Sequence, residues 1–473
     1  MPTLPLAKGL GKDYRNADYV DLLPVNMLAT PKEVLNAAGY LRSFPGVAKK
    51  ADVAGTSRGV QFNKAENVIY RVAGGKLYKG AGERGDVSGN ARVSMSHSAT
   101  SQAVAVNGVM TLYRYDGTNK TLQNWPPIVD GTDYAQYDIG HVRDICRARG
   151  RYVWVKDGTQ TFGVTDLEDE SHPDRFRPFY SAESQPDGIL GCGIWRDFVV
   201  MFGSSTIEYF SLTGSTDTSS AIYVPQPSYM VQKGIAGTHC KTEFMDSFAF
   251  ISHQATGAPS VYVINGGRAE VIATSTVEKV LRGYTTEELA TGVLEAVRFD
   301  SHELLIVHLP RHVLCYDAAA SQNGAQWCVL KTGVSDDVHR AIDYVFEGNQ
   351  ITAGDKLDPV VGALQFDSSA QYDKQTEHLL FTPMFKANNA RVFDFELEAA
   401  TGVSQYAERL FISSTADGSN YGREQMISAN APFAYDKRVL WRRMGRVRKN
   451  IGFRVRVITR SPVTLSDCSV RIE

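Results

Sequence analysis

A strand–turn–strand pattern recurs seven times along most of this chain, and no other feature narrows its possible folds as much. In residues 193–214, GIWRDFVVMFGSSTIEYFSLTG, the run 195–202 is rich in aromatic and β-branched residues. Gly203-Ser204-Ser205 breaks that run and 206–212 resumes it, as a hairpin requires. Looser copies lie at 68–80, 103–117, 151–167, 244–266, 303–317 and 344–367. One mid-strand residue from each copy gives Ile69, Val106, Tyr152, Phe198, Phe248, Leu304 and Ile351, spaced 37 to 56 residues apart. Periods of roughly 40 to 50 residues with about four strands each mark propeller blades. Radial packing around an axis buries both faces of a four-stranded sheet. A string of ordinary hairpins in a large sandwich is the competing fold, and no WD or kelch signature marks a repeat boundary. The expected fold is all-β: a β-propeller of six or seven blades.

With 473 residues, 43% hydrophobic and 22% charged, the chain has room for two or three domains with real cores. Residues 1–55 are expected as an extended arm, with prolines at 2, 5, 24, 31 and 45 and one short helical candidate at 31–38. Its apolar and aromatic residues, Tyr19, Leu22, Leu23, Met27, Leu41 and Phe44 among them, show no core periodicity. Such an arm drapes over its own domain or docks on a neighbouring subunit. Residues 56–375 form the repeat region, interrupted by a helix expected at 285–298, where Thr285 and Glu288 fit a capping box. Residues 376–473 are expected to form a separate β-sandwich-like domain with a turn at Asp417-Gly418. In one of its strands Phe453, Val455 and Val457 face one way and Arg454, Arg456 and Ile458 the other.

The chemistry-bearing candidates mostly reduce to structure. His308 and His312 are four apart, but Pro310 lies between them in a strand context, and four strand residues span about 13 Å, too far for one ion. None of the six cysteines forms a CxxC pair. The chain has no GxSxG elbow and no phosphate-binding loop, so neither cofactor nor catalytic residue is expected. The carboxylates Asp166, Glu168, Asp169 and Glu170 keep a carbohydrate-active propeller in view, although neighbours in one loop rarely flank a sugar. A solvated acidic loop is the expectation there. The segment 414–421 has the wrong spacing for a sialidase Asp-box. No run approaches membrane-spanning length, so no membrane insertion is expected.

Net charge is −2, yet residues 437–460 hold ten Lys or Arg and no acid. Arg438, Arg442, Arg443, Arg446 and Arg448, interleaved with Trp441, are candidates to face a partner or DNA backbone. A solvated sheet face with intramolecular salt bridges is the alternative.

Several long stretches carry a family resemblance. They include NADYVDLLPVNMLATPKEVLNAAGYLRSFPGV (16–47), DLEDESHPDR (166–175), FGSSTIEYFSLTG (202–214), VQKGIAGTHCKT (231–242), FDSHELLIVHLPRHVLCYDA (299–318) and HLLFTPMFKA (378–387). Through them the chain resembles the packaged-DNA stabilisation proteins, or tail hubs, of short-tailed enterobacterial phages. The resemblance implies a structural virion protein, made in the host cytoplasm, that joins the tail after DNA packaging. It implies a homo-hexameric ring beneath the portal-bound adaptor ring, helping to retain the genome and carrying tail needle and tailspikes. Packaged double-stranded DNA would lie nearby without sequence readout. Residues 16–47 would then make an inter-subunit or adaptor contact.

Overall fold

The computed structural model describes residues 3–4, 22–32, 39–126, 137–213, 221–321, 324–335, 337–429 and 431–472. Among them, seven four-stranded antiparallel sheets form the blades of a propeller. Each mid-strand residue picked out above falls in the second strand of its blade: Ile69 in Val68–Ala73, Phe198 in Phe198–Gly203, Ile351 in Gln350–Asp355. The break at 203–205 is the loop between Phe198–Gly203 and Ile207–Leu212, but Trp195 ends the strand before. A two-residue turn intervenes, with Arg196 at φ 54°.

Blade seven differs from the others in how it is made. Its order is Ala341–Glu347, Gln350–Asp355, Val360–Gln365 and then Gly46–Asp52, from the opposite end of the chain. Gly46–Asp52 runs antiparallel to Val360–Gln365, and Val47 packs over Gly362 with 1% exposure. The segment expected to be arm is therefore partly propeller. The last blade is zipped shut by the first long strand, which ties the ring closed.

The innermost strands are locked to one another through carboxylates. Asp144 in blade three accepts from the Cys192 amide in blade four at 2.9 Å. Glu295 in blade six accepts from the Asp343 amide in blade seven at 2.7 Å, and Asp343 accepts from the Ser57 hydroxyl in blade one at 2.6 Å. The strands bulge at 142–145, 189–191, 342–345 and 57–59, and the bulge at 342–345 takes the Asp343 amide out of the ladder. Lys241 pairs with Asp144 at 2.9 Å, and Arg92 pairs with Asp343. Each buried acid thus has a cation or several donors, which burial demands.

Two layers form the C-terminal sandwich. One sheet runs Met27–Thr30, Tyr40–Ser43, Thr464–Ile472, Arg391–Ala399, Val439–Arg446, with Thr3–Leu4 paired to Thr464–Ile472. The other runs Thr376–Phe381, Asn450–Thr459, Glu408–Thr415, Gln425–Ala429. Phe453, Val455 and Val457 are buried while Arg454, Arg456 and Ile458 are not, as their alternation predicts. Met27–Thr30 and Tyr40–Ser43 are thus sheet strands of the sandwich, and Val25 bridges both blade six at Val329 and the sandwich at Leu379.

Two helical expectations change. At 31–38 the candidate falls mostly outside the described residues. At 285–298 the capping box forms, with Thr285 and Glu288 each satisfying the other's amide, but the helix stops at Ala290. Val293 and Ala296 belong to the strand Val293–Phe299, whose alternating burial the helical spacing had imitated. A preceding helix, Ser275–Leu281, was not foreseen.

Candidate functional site

The surface that best fits a partner is the outer edge of the sandwich. Val439–Arg446 closes one end of its sheet, paired with Arg391–Ala399 on one side. Strict alternation would expose every second residue, yet Arg442 and Arg443 are both exposed. A register shift opposite, between Val392 and Asp394, inserts an extra residue into the strand, and Arg443 takes φ 61°. The bulge turns Arg442, Arg443 and Arg446 to solvent beside Arg448 and Lys449 in the following turn. Among the described residues none of these five meets a carboxylate.

Three of the remaining basic residues pair with carboxylates of the sandwich. Arg438 binds Glu396 through Nε and Nη2, both at 2.6 Å. Arg454 reaches Glu424 at 3.1 Å, and Arg456 reaches Glu424 and Glu377. Trp441 is a correction to the expected partner face. It is 2% exposed in the sandwich core, against Phe395, and its Nε1 donates to the Gln425 carbonyl at 3.1 Å. The inward phase of an edge strand claims it.

In the loop that leads into Val439–Arg446 lies an apolar tip that the sequence alone did not flag. Phe433 is 84% exposed and Tyr435 66%, with Tyr406 and Val403 beside them on the facing loop. The two loops are joined by the Phe433 amide to the Gly402 carbonyl at 3.2 Å and the Thr401 hydroxyl to the Tyr435 carbonyl at 3.3 Å. Clustered exposed aromatics mark contact surfaces. The available signal was the run APFAY (431–435), two aromatics with no strand alternation around them.

The arm residues are placed differently from the expectation. Met27 and Leu41 sit in the sandwich core, and Phe44 packs between blades six and seven, 6.1 Å from Phe299. Leu23 lies against the core of blades five and six, and Leu22 is partly exposed. Tyr19 lies outside the described residues. Pro-spaced apolar residues without periodicity are here single strands donated to two other sheets, and each strand is too short to show a period.

The acidic run is a further correction, since it is paired rather than solvated. Glu170 pairs with Arg147 and accepts from the Ser98, Thr100 and Ser101 hydroxyls at 2.9–3.1 Å. Asp169 meets Arg114 at 3.5 Å and Lys120 at 3.6 Å, and Asp166 meets Arg175 at 3.4 Å. Against the burial that would raise it, hydrogen bonds from Ser171 and nearby cations lower the Asp169 carboxyl to about 2. The loop rivets blade two to blade three. His308 and His312 likewise diverge: His308 is buried, and His312 Nδ1 lies 2.6 Å from the Tyr284 hydroxyl. Among the described residues no three His, Cys, Asp or Glu converge as a metal site, and no helix is long and apolar enough to cross a membrane.

Comparison with known proteins agrees with this architecture. The family model described as Bacteriophage P22 Gp10, beta-propeller, matches residues 2–369, and that described as Bacteriophage P22 Gp10, beta-sandwich, matches 377–473. The tail hub protein gp10 of Salmonella phage P22 is 68% identical over 470 residues, covering 99% of each chain. Among solved structures, the computationally designed Ika8 protein aligns with 72% of this chain and 97% of its own, at 14% identity and a TM-score of 0.37. The Dos1 propeller aligns with 72% of this chain and 83% of its own, at 11% identity and a TM-score of 0.36.

Proposed function

The chain belongs to the Bacteriophage P22 Gp10 family, and from that premise we propose that it is a structural tail hub of a short-tailed phage virion, not an enzyme. The observation that carries the reading is 68% identity to a tail hub protein along 99% of both chains. The architecture supports it. A propeller whose last blade is closed by an N-terminal strand, and whose blades are cross-linked by buried ion pairs, is a stiff body suited to bearing load. The sandwich presents a basic edge and an apolar tip, two kinds of surface from which protein interfaces are built.

In this reading the subunits form a homo-hexameric ring that docks beneath the portal-bound adaptor ring, helps retain packaged DNA, and carries tail needle and tailspikes. Arg442, Arg443 and Arg446 meet acidic surfaces of those neighbours or DNA phosphates. Linked contacts around a ring gain avidity without any single one being tight. The carbohydrate-active alternative loses its support, because the carboxylates that suggested it are structural ion-pair partners.

Co-sedimentation of the purified protein with portal rings, with and without bound adaptor, tests the proposal. Adaptor-dependent binding at ring stoichiometry is the expected result. Absence of binding under both conditions would remove it.

A further inference from the structure

Between blades six and seven, where the linker leaves the propeller for the sandwich, lies a cavity of about 750 Å3 that the assembly surfaces do not use. That volume is typical of sites for small organic molecules. Its charged wall is unequal. Arg92 is matched by Asp343 and Glu295, and Arg340 by Asp355 and Asp358. Lys356 is not matched: its Nζ donates to the His339 carbonyl at 3.0 Å, and among the described residues no carboxylate lies within ion-pair distance. Burial, set against the more distant acids around it, lowers the Lys356 ammonium to about 8. A half-buried ammonium with one neutral acceptor is an electrostatic debt that an anion would cancel.

His308 adds a second unsatisfied group. It is 3% exposed and neither ring nitrogen makes a hydrogen bond, although Nε2 stands 3.4 Å from Glu295 Oε2. Burial first, then the Lys356 and Arg92 charges, keep the ring neutral, and with both nitrogens shielded from solvent it presents only carbon to the cavity and adds no second charge to the wall. Val293, Leu309 and Ile342 supply apolar wall, and Asp337 is the one lining carboxylate among the described residues.

We propose that this cavity binds a small organic anion, its carboxylate or phosphate head held by Lys356 and its apolar body resting on Val293, Leu309 and Ile342. The linker residue Tyr372, under the Arg340 guanidinium at 5.2 Å, lines the same cavity. A bound anion therefore touches propeller and linker together.

The test is calorimetric titration of the full-length protein with phenyl phosphate, benzoate and inorganic phosphate, each up to about 10 mM, a range that detects millimolar affinity. Saturable binding of phenyl phosphate or benzoate, one per subunit and tighter than inorganic phosphate, is expected. Lys356→Met should weaken it by about tenfold or more, the worth of a charge-assisted contact. Circular dichroism should show that variant folded, since it removes a desolvated charge, and Lys356→Arg should keep binding. No saturable heat with either aryl probe, or equal affinity in folded Lys356→Met, overturns the proposal.

Discussion

Asn26 concentrates at one residue much of what joins the parts of this molecule. It is 1% exposed and adopts φ 55°, a conformation asparagine tolerates better than most residues. Its Nδ2 donates to the Lys331 and Glu377 carbonyls at 3.1 and 2.8 Å, and its Oδ1 accepts from the Lys331 amide at 2.9 Å. Asn26→Ala would remove three hydrogen bonds to buried and half-buried backbone groups, and a loss of about 2–4 kcal/mol is expected, read as a lower urea midpoint. The Asn26 carbonyl lies 3.2 Å from His378 Nδ1, and burial, only partly offset by that contact, lowers His378 from 6.5 to about 4. The unfolded chain takes up a proton below pH 6.5 that the folded chain refuses until about pH 4, so this residue costs stability as pH falls through that window. At about pH 5 the cost is about 2 kcal/mol, and His378→Gln should remove most of it when urea midpoints at about pH 7.5 and 5 are compared. Nothing around His378 in the sequence HLLF signals this burial, because the groups that enclose it come from residues about 350 positions away.

At the scale of elements, the decisive one is Gly46–Asp52. Its sequence, GVAKKAD, reads as loop or arm, since only its first half is buried and its second half lies on an exposed rim. A closing strand needs half a hydrophobic pattern, because it covers one neighbour and faces solvent beyond. Val47→Asp would place a carboxylate under Gly362, and we expect about 3–5 kcal/mol of destabilisation. Truncation of residues 1–52 should go further, removing the fourth strand of blade seven and three strands of the sandwich. Far-UV circular dichroism should then lose its cooperative melt, and a truncated protein melting like the full chain would refute the closure. The capping box at Thr285 was legible because it is a local contact within four residues. The end of that helix was not, because whether Val293 and Ala296 pack as helix or strand is decided by a blade-six neighbour.

At the scale of the whole molecule, one chain passes twice between two domains. It starts in the sandwich, closes the propeller, completes seven blades and returns to the sandwich. The two bodies are therefore fastened by strands rather than by a linker alone, which suits a part that must not yield under load. Charge reversal at Arg442, Arg443 and Arg446 to Glu should leave the unfolding free energy within about 1 kcal/mol of the parent, as exposed substitutions do. The same variant should lose co-sedimentation with adaptor-bound portal rings, with the loss amplified over a ring of linked contacts. Unchanged binding would remove those arginines from the interface.

Repeat number, strand content and the sandwich alternation at 453–458 were set by the sequence itself, because each depends on contacts between residues close in the chain. A period-2 pattern and a Gly/Ser break act locally, so the repeats could be read as six or seven blades, and the described residues form seven. Which strand closes the ring, which arginines stay free, and why the acidic run is paired were decided only in three dimensions. Those outcomes depend on partners that are not neighbours in the chain: Gly46–Asp52 with Val360–Gln365 and Asn26 with Glu377, hundreds of residues apart, and Arg438 with Glu396 across the sheet, 42 positions away. Charge written along a chain does not say which charges will meet. Chain folding brings most of them together and leaves a few arginines at one edge to face the outside.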